Sequence, residues 1–166
     1  MDAPIPFNRP HRTGREAALV GEALAGDHWR GDGPFTRRAH ALLSAALGGA
    51  PVLLTTSCTH ALELAALLLD CGPGDEFVVP SFTFVSSASA FALRGARVVF
   101  ADVDDRTLNL DPADVARKVG ARTKAIVAVH YAGVACDLDA LAAAGVPLVE
   151  DNAHGLFASW RGRPRG

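Results

Sequence analysis

A chain of 166 residues, 49% hydrophobic and 20% charged, has the length and composition of one ordinary globular domain. Its formal net charge of −2 leaves no electrostatic case for nucleic acid or an acidic membrane surface as partner. No segment approaches the roughly 20 consecutive apolar residues of a membrane span, and Met1 to Pro10 contains no apolar core of a signal peptide.

A soluble cytoplasmic protein is therefore expected. The three cysteines, Cys58, Cys71 and Cys136, are widely spaced and form no CxxC or Cys/His metal pattern. Buried thiols in a reducing compartment are the default reading.

In chain order, the prolines of Pro4 to Pro10 hold the opening extended. A first helix is expected over Gly14–Ala25, with Ala17, Leu19, Val20, Ala23 and Leu24 as its apolar positions. A glycine-rich loop from Gly26 to Pro34 leads to a second helix over Phe35–Leu47. Short apolar runs then alternate with helical stretches. The runs are Val52–Leu54, Phe77–Val79, Val98–Ala101, Ile126–Val129 and Leu148–Glu150. The helices between them are Thr59–Asp70, Phe84–Leu93, Asp111–Val119 and Leu138–Ala144. Apolar runs of this kind are parallel strands buried on both faces under helices, so an α/β layered fold is expected. Pro73-Gly74 makes a turn, Gly95 ends a helix, and Asp111-Pro112 supplies an N-cap with proline at N1. From Leu156 onward the chain reads as a strand entering a turn.

Ligands of parallel sheets gather at the carboxyl ends of strands. Three strand ends here are polar. Thr55-Thr-Ser-Cys-Thr-His60 opens a long helix whose N-terminal N–H groups suit a phosphate, with hydroxyls from Ser57 and Thr59; an ordinary Ser/Thr cap is the alternative. The absence of GxxxxGK[ST] rules out a nucleoside-triphosphate P-loop. In Pro80-Ser-Phe-Thr-Phe84, Ser81 or Thr83 can cap a helix while Phe82 or Phe84 stacks on a flat ring or packs in the core. In Glu150-Asp-Asn-Ala-His154, an acid at the end of a buried strand needs a cation: a pyridinium nitrogen, a metal or an arginine. His154 can donate to a phenolic oxygen or serve as a core histidine.

Pro6-Phe-Asn8, Gly31 to Arg38, Val52 to Thr59, Pro73-Gly-Asp-Glu76, Pro80 to Ser86, Leu93-Arg-Gly-Ala96, Val129 to Cys136 and Glu150-Asp151 together resemble the DegT/DnrJ/EryC1/StrS sugar aminotransferases. The likeness runs over essentially the whole chain. It implies the N-terminal portion of a three-layer fold type I large domain with a mostly parallel sheet, and pyridoxal 5'-phosphate (PLP) as cofactor. Within the family it is closest to members that aminate dTDP-4-keto-6-deoxyglucose to dTDP-4-amino-4,6-dideoxygalactose for cell-surface polysaccharide, including enterobacterial common antigen. Glutamate is the implied amino donor, and a homodimer the implied state of the full-length protein.

By the same resemblance, Ser57, Cys58 and Thr59 cradle the cofactor phosphate, Phe84 stacks on its ring, Asp151 keeps the ring nitrogen protonated, and His154 lies near the 3'-oxygen. Glycine is common in relatives where Cys58 stands, and alanine where Asn152 stands.

The family's Schiff-base lysine follows the Glu-Asp strand, which places it beyond Gly166. The only lysines here, Lys118 and Lys124, are expected on the surface, so no catalytic residue is assigned within the chain. Residues 1–166 alone are expected to be inactive and poorly stable, with Val52–Leu54 lacking the neighbours that the family's last two strands provide. A sugar 3-dehydratase of the same fold and a non-catalytic fragment or scaffold are the rival readings. A Rossmann nucleotide-binding domain ranks last, because Gly31-Asp-Gly33 does not follow a strand.

Overall fold

The computed structural model describes residues 4–6, 9–157 and 159–164, so Phe7 and Asn8 of the opening and Ala158, Arg165 and Gly166 of the tail lie outside it. Residues 1–42 and 43–166 form separate compact units.

The first unit holds α1 (Glu16–Ala25) and most of α2 (Pro34–Ala46). Both helices fall where the sequence places them. The apolar positions of α1, however, do not form a core: the helix contains no buried residue, and Val20 and Leu24 are exposed. Every member of the two buried apolar clusters comes from Leu62 onward.

The second unit is built on a four-stranded parallel sheet in the order β2-β1-β3-β4. Its strands are β1 (Glu76–Pro80), β2 (Arg97–Ala101), β3 (Thr123–Val129) and β4 (Leu148–Asp151). Alternate residues of the central strands feed opposite cores. Phe77, Val79, Ala125, Val127 and Val129 pack with Leu62 and Ala66 of α3 (Cys58–Leu68) and Ala90 and Phe91 of α4 (Ser86–Ala92). Val78, Ile126 and Ala128 pack with Val115 of α5 (Pro112–Lys118) and Leu138 and Leu141 of α6 (Leu138–Ala142). Three layers result: two helices, the sheet, two helices. Two-sided burial is why the central strands β1 and β3 read as unbroken apolar runs; the edge strands β2 and β4 are only partly covered, with Phe100 54% exposed, which corrects the expectation that every run is buried on both faces.

The caps form as expected at two helices. Asp111 Oδ1 accepts the Ala113 N–H at 2.9 Å with Pro112 at N1, and Ser57 Oγ accepts the His60 N–H at 3.2 Å. Gly95 closes α4 at φ +88°, and a Cβ there would press on the Pro73 ring. The tail folds as a short antiparallel hairpin of β5 (Ser159–Trp160) and β6 (Arg163–Pro164).

Two expectations need correction. Val52–Leu54 is not a strand of this sheet; residues 51–55 are irregular, with Leu53 70% exposed. A strand exists only with a ladder partner, and this segment joins neither edge, β2 nor β4. Neither Ser81 nor Thr83 caps α4: Val85 is its N-cap residue, with no side-chain cap bond, and the Thr83 hydroxyl pairs with Ser87 instead. No helix among the described residues is long and apolar enough to cross a membrane.

Candidate functional site

Parallel pairing with Val129 opposite Asp151 brings the carboxyl ends of β3 and β4 level. The segments leaving these ends, and the N-terminus of α3, meet around one carboxylate.

Asp151 is the last residue of β4 and only 6% exposed. Its Oδ2 accepts the Ser87 hydroxyl at 2.7 Å. Its Oδ1 accepts the Cys58 thiol at 3.5 Å and the Ala153 N–H at 3.3 Å. All three donors are neutral, and no ion pair to Asp151 is found among the described residues. A carboxylate withdrawn from water normally has a cation beside it, because hydrogen bonds from neutral groups offset only part of its lost hydration.

Cys58 is the first residue of α3, so the helix N-terminus adjoins the acid. The N–H groups of Cys58 and Thr59 precede the first intrahelical bond, from the Ala61 N–H to the Ser57 carbonyl. They belong to the first turn, where a helix presents N–H donors and partial positive charge. The Thr55 hydroxyl holds the Ser57 carbonyl at 2.8 Å, and the Thr56 hydroxyl pairs with His60 Nδ1, which fixes the turn leading into α3. Cys58 is exposed, unlike buried Cys71 and Cys136, which corrects the expectation that all three thiols are buried. Its place at a strand-end mouth is the reason. Burial of the sulfur against its neighbours, then the Asp151 charge, push the thiol up to about 11.

The two aromatic candidates separate. Phe82 is half-exposed and stands 4.7 Å from the Tyr131 ring, tilted by 48°. Phe84 is 70% exposed. Tyr131 also meets the His154 ring edge-on at 5.8 Å. His154 Nδ1 accepts the Ala132 N–H at 3.2 Å, so in the neutral ring the proton is on Nε2. The chain at Gly133 (φ +82°) passes so close to the His154 carbonyl that a Cβ would sit 3.3 Å from it. Asn152 turns inward: both polar atoms of its amide are buried without a hydrogen-bond partner among the described residues, and a Cβ at Gly155 would run into its oxygen.

Several contributors escape sequence reading. Ser87, fully buried, contacts Asp151 from 64 positions away. His130 is 2% exposed; its Nδ1 accepts the Cys136 N–H at 3.1 Å, leaving the Nε2 proton for Glu150 Oε2 at 3.0 Å. Asn109 pins the segment that carries Tyr131, accepting the Tyr131 N–H at 3.0 Å and donating to the Val134 carbonyl at 2.9 Å. The serines at the start of α4, Ser86 and Ser87 with Ser89 close behind, were the local signal available for Ser87.

Neither lysine reaches the site. Lys118 ends α5 on the surface. Lys124 lies at the amino end of β3, bonded to the Asp70 carbonyl at 2.9 Å and to Asp75 at 3.3 Å. Five strand residues, roughly 16 Å at about 3.3 Å each, separate it from the level of Val129.

Known proteins resemble this chain in both sequence and fold. The chain is 46% identical over 152 residues to 3-amino-5-hydroxybenzoate synthase of Amycolatopsis mediterranei, covering 89% of this chain and 39% of that enzyme. The aminotransferase TlmJ of Streptoalloteichus hindustanus superposes with a TM-score of 0.90 at 44% identity, over 98% of this chain and 46% of its own. The sugar aminotransferase Spr1654 of Streptococcus pneumoniae, described as putative and solved in PMP, PLP and apo forms, superposes in its PMP form with a TM-score of 0.92 at 30% identity, over 98% and 45%. The chain thus spans less than half the length of the relatives it matches. Family and solved relatives alike indicate pyridoxal 5'-phosphate as cofactor. The DegT/DnrJ/EryC1/StrS aminotransferase family matches residues 10–166, and the chain belongs to that family.

Proposed function

We propose that this chain forms the phosphate- and ring-binding part of a PLP site in an enzyme that aminates a nucleotide-linked 4-keto-6-deoxy sugar, with dTDP-4-keto-6-deoxyglucose as acceptor and glutamate as donor. The observation that carries the cofactor assignment is the buried Asp151 carboxylate, surrounded by neutral donors at the end of β4 and touching the first residue of α3. A protonated pyridine ring with a phosphate arm matches that pair of needs: its cation suits the acid and its dianion suits the helix N-terminus.

When bound, the cofactor supplies an electron-withdrawing ring that accepts the electron pair freed at the substrate carbon. The residues divide the remaining work. Asp151 holds the proton on the ring nitrogen. The Ser57 hydroxyl and the N–H groups of Cys58 and Thr59 hold the phosphate. Phe84, exposed beside the site, covers a ring face. His154 offers its Nε2 proton to the ring's 3'-oxygen, its Nδ1 being occupied by Ala132. Because Lys118 and Lys124 both lie away from the site, we assign covalent attachment to a lysine outside residues 1–166. The whole enzyme is a cytoplasmic homodimer in this reading.

The amino-sugar assignment rests on the motif resemblance and on the Streptococcus pneumoniae relative. A second reading, formation of an aminated carbocyclic acid, is favoured by the higher identity to 3-amino-5-hydroxybenzoate synthase.

Calorimetric titration of the chain with pyridoxamine 5'-phosphate (PMP) tests the site without requiring the lysine. Saturable binding that Asp151→Ala abolishes is expected; binding indifferent to Asp151 overturns the assignment. Protein isolated from its host, given PLP, glutamate and dTDP-4-keto-6-deoxyglucose, is expected to yield an amino sugar by mass spectrometry. Intact PMP binding without that product favours the second reading.

A further inference from the structure

The Asp151 carboxylate has about four acceptor positions, and the described residues fill three of them, with the hydroxyl of Ser87, the thiol of Cys58 and the N–H of Ala153. The three are unequal. The thiol and N–H contacts on Oδ1 are long, at 3.5 and 3.3 Å, whereas the Ser87 contact on Oδ2 is short, at 2.7 Å. Short O–H bonds to a carboxylate are the strong, orienting kind.

Ser87 has a single proton, and it goes to Asp151. The Thr83 hydroxyl, 2.8 Å from Ser87 Oγ, must then donate to Ser87 rather than accept from it. The result is a one-way chain, Thr83 to Ser87 to Asp151, in which each donation polarises the next. Ser87 is fully buried in the first turn of α4, so no solvent competes for its proton. Thr83 lies in the segment of Phe82 and Phe84, which ties the ring-covering loop to the same acid.

We propose that Ser87, held in turn by Thr83, is a positioning residue that keeps the Asp151 carboxylate turned so that its remaining acceptor position meets the ring nitrogen of the cofactor. The proposal rests on the PLP reading above. It makes one distinctive demand: removing Ser87 must weaken interactions with the ring nitrogen alone, leaving phosphate, ring face and 3'-oxygen contacts intact.

The test compares PMP with its 1-deaza analogue, in which the ring nitrogen is replaced by C–H, by calorimetric titration of the wild-type chain, Ser87→Ala, Ser87→Thr, Thr83→Val and Asp151→Asn. Ser87→Ala is expected to weaken PMP binding roughly tenfold or more, the scale of a lost hydrogen bond to a charged group, with the analogue's affinity unchanged. Ser87→Thr, which keeps the hydroxyl, restores PMP binding. Thr83→Val shows a smaller loss confined to PMP, and this variant carries the test if Ser87→Ala does not fold. Equal losses for both ligands, or none for either, overturn the positioning role and leave Ser87 a packing residue. If Asp151→Asn also fails to distinguish the two ligands, or the wild type binds neither, the PLP reading itself is overturned. If Asp151→Asn distinguishes them while Ser87→Ala and Thr83→Val do not, only the present inference is lost.

Discussion

The Cys58 sulfur lies 3.5 Å from Oδ1 of Asp151, joining the first residue of one helix to the last residue of a strand 93 positions later. Through that contact the helix N-terminus and the buried acid become parts of one site. It also makes the thiol a reporter of the acid's charge.

A thiol raised to about 11 from an ordinary 9.0 carries roughly a hundredfold less thiolate at neutral pH, tenfold for each unit. Iodoacetamide labelling of Cys58 at pH 7.5, followed by peptide mass spectrometry, is therefore expected to be slow despite the residue's exposure. Asp151→Asn removes the charge but not the burial, which is the larger cause. Labelling should accelerate several-fold in that variant and still trail a fully solvated thiol. An unchanged rate would disconnect the two residues.

His130 anchors the segment that carries Tyr131. Its ring accepts from the Cys136 N–H and donates to Glu150 while almost wholly buried. His130→Ala strands a buried N–H and opens a void, for an expected loss of about 2–3 kcal/mol in urea unfolding. A loss below about 0.5 kcal/mol, the scatter of ordinary surface substitutions, would contradict this role.

Lys124→Ala should leave PMP binding unchanged, because the side chain sits at the opposite end of β3 from Asp151. The pair it makes with Asp75 is partly exposed, so the stability change should stay within about 1 kcal/mol. Calorimetry and urea unfolding of the same preparation check both halves. A lost PMP signal would return this lysine to the site.

Two hydrogen-bonded carboxylates, Glu76 and Asp114, predict an acid limit. Glu76 accepts from Arg122 at 2.6 Å and from Arg97 at 2.9 Å, and these partners, Arg122 foremost, hold its carboxyl below the usual range. Asp114 is lowered likewise, chiefly by the Asp102 N–H and then by Arg117. Since the folded values lie below the unfolded ones, this stability is present above the ordinary carboxylate range near pH 4 and disappears as pH falls through the folded values. Unfolding midpoints measured from pH 6 down to pH 2 should decline in that window, and Glu76→Gln should flatten the decline. A midpoint that rises on acidification would reverse the sign.

Much of this was legible before any coordinates. Apolar runs named β1 to β4, though only those of β1 and β3 are buried on both faces, and helical periodicity with Asp and Ser caps named α3 and α5, because apolar runs and capping are local properties that a few neighbouring residues fix. The candidate stretches Pro80–Phe84 and Glu150–His154 were visible for a similar reason, since polar residues directly after apolar strands mark strand ends, whereas Ser57–Thr59 was visible as the polar opening of a helix. What local pattern could not supply was pairing. Val52–Leu54 is as apolar as β1, yet it joins no ladder here, since a strand is defined by its neighbour. The apolar positions of α1 look ready for a core that the first unit does not build. Phe82 rather than Phe84 meets Tyr131, and Ser87 rather than a cation reaches Asp151. Each of these outcomes depends on residues tens of positions apart arriving at hydrogen-bond or contact distance. The register of β3 against β4 and the packing of α3 and α4 on the sheet decided the last two.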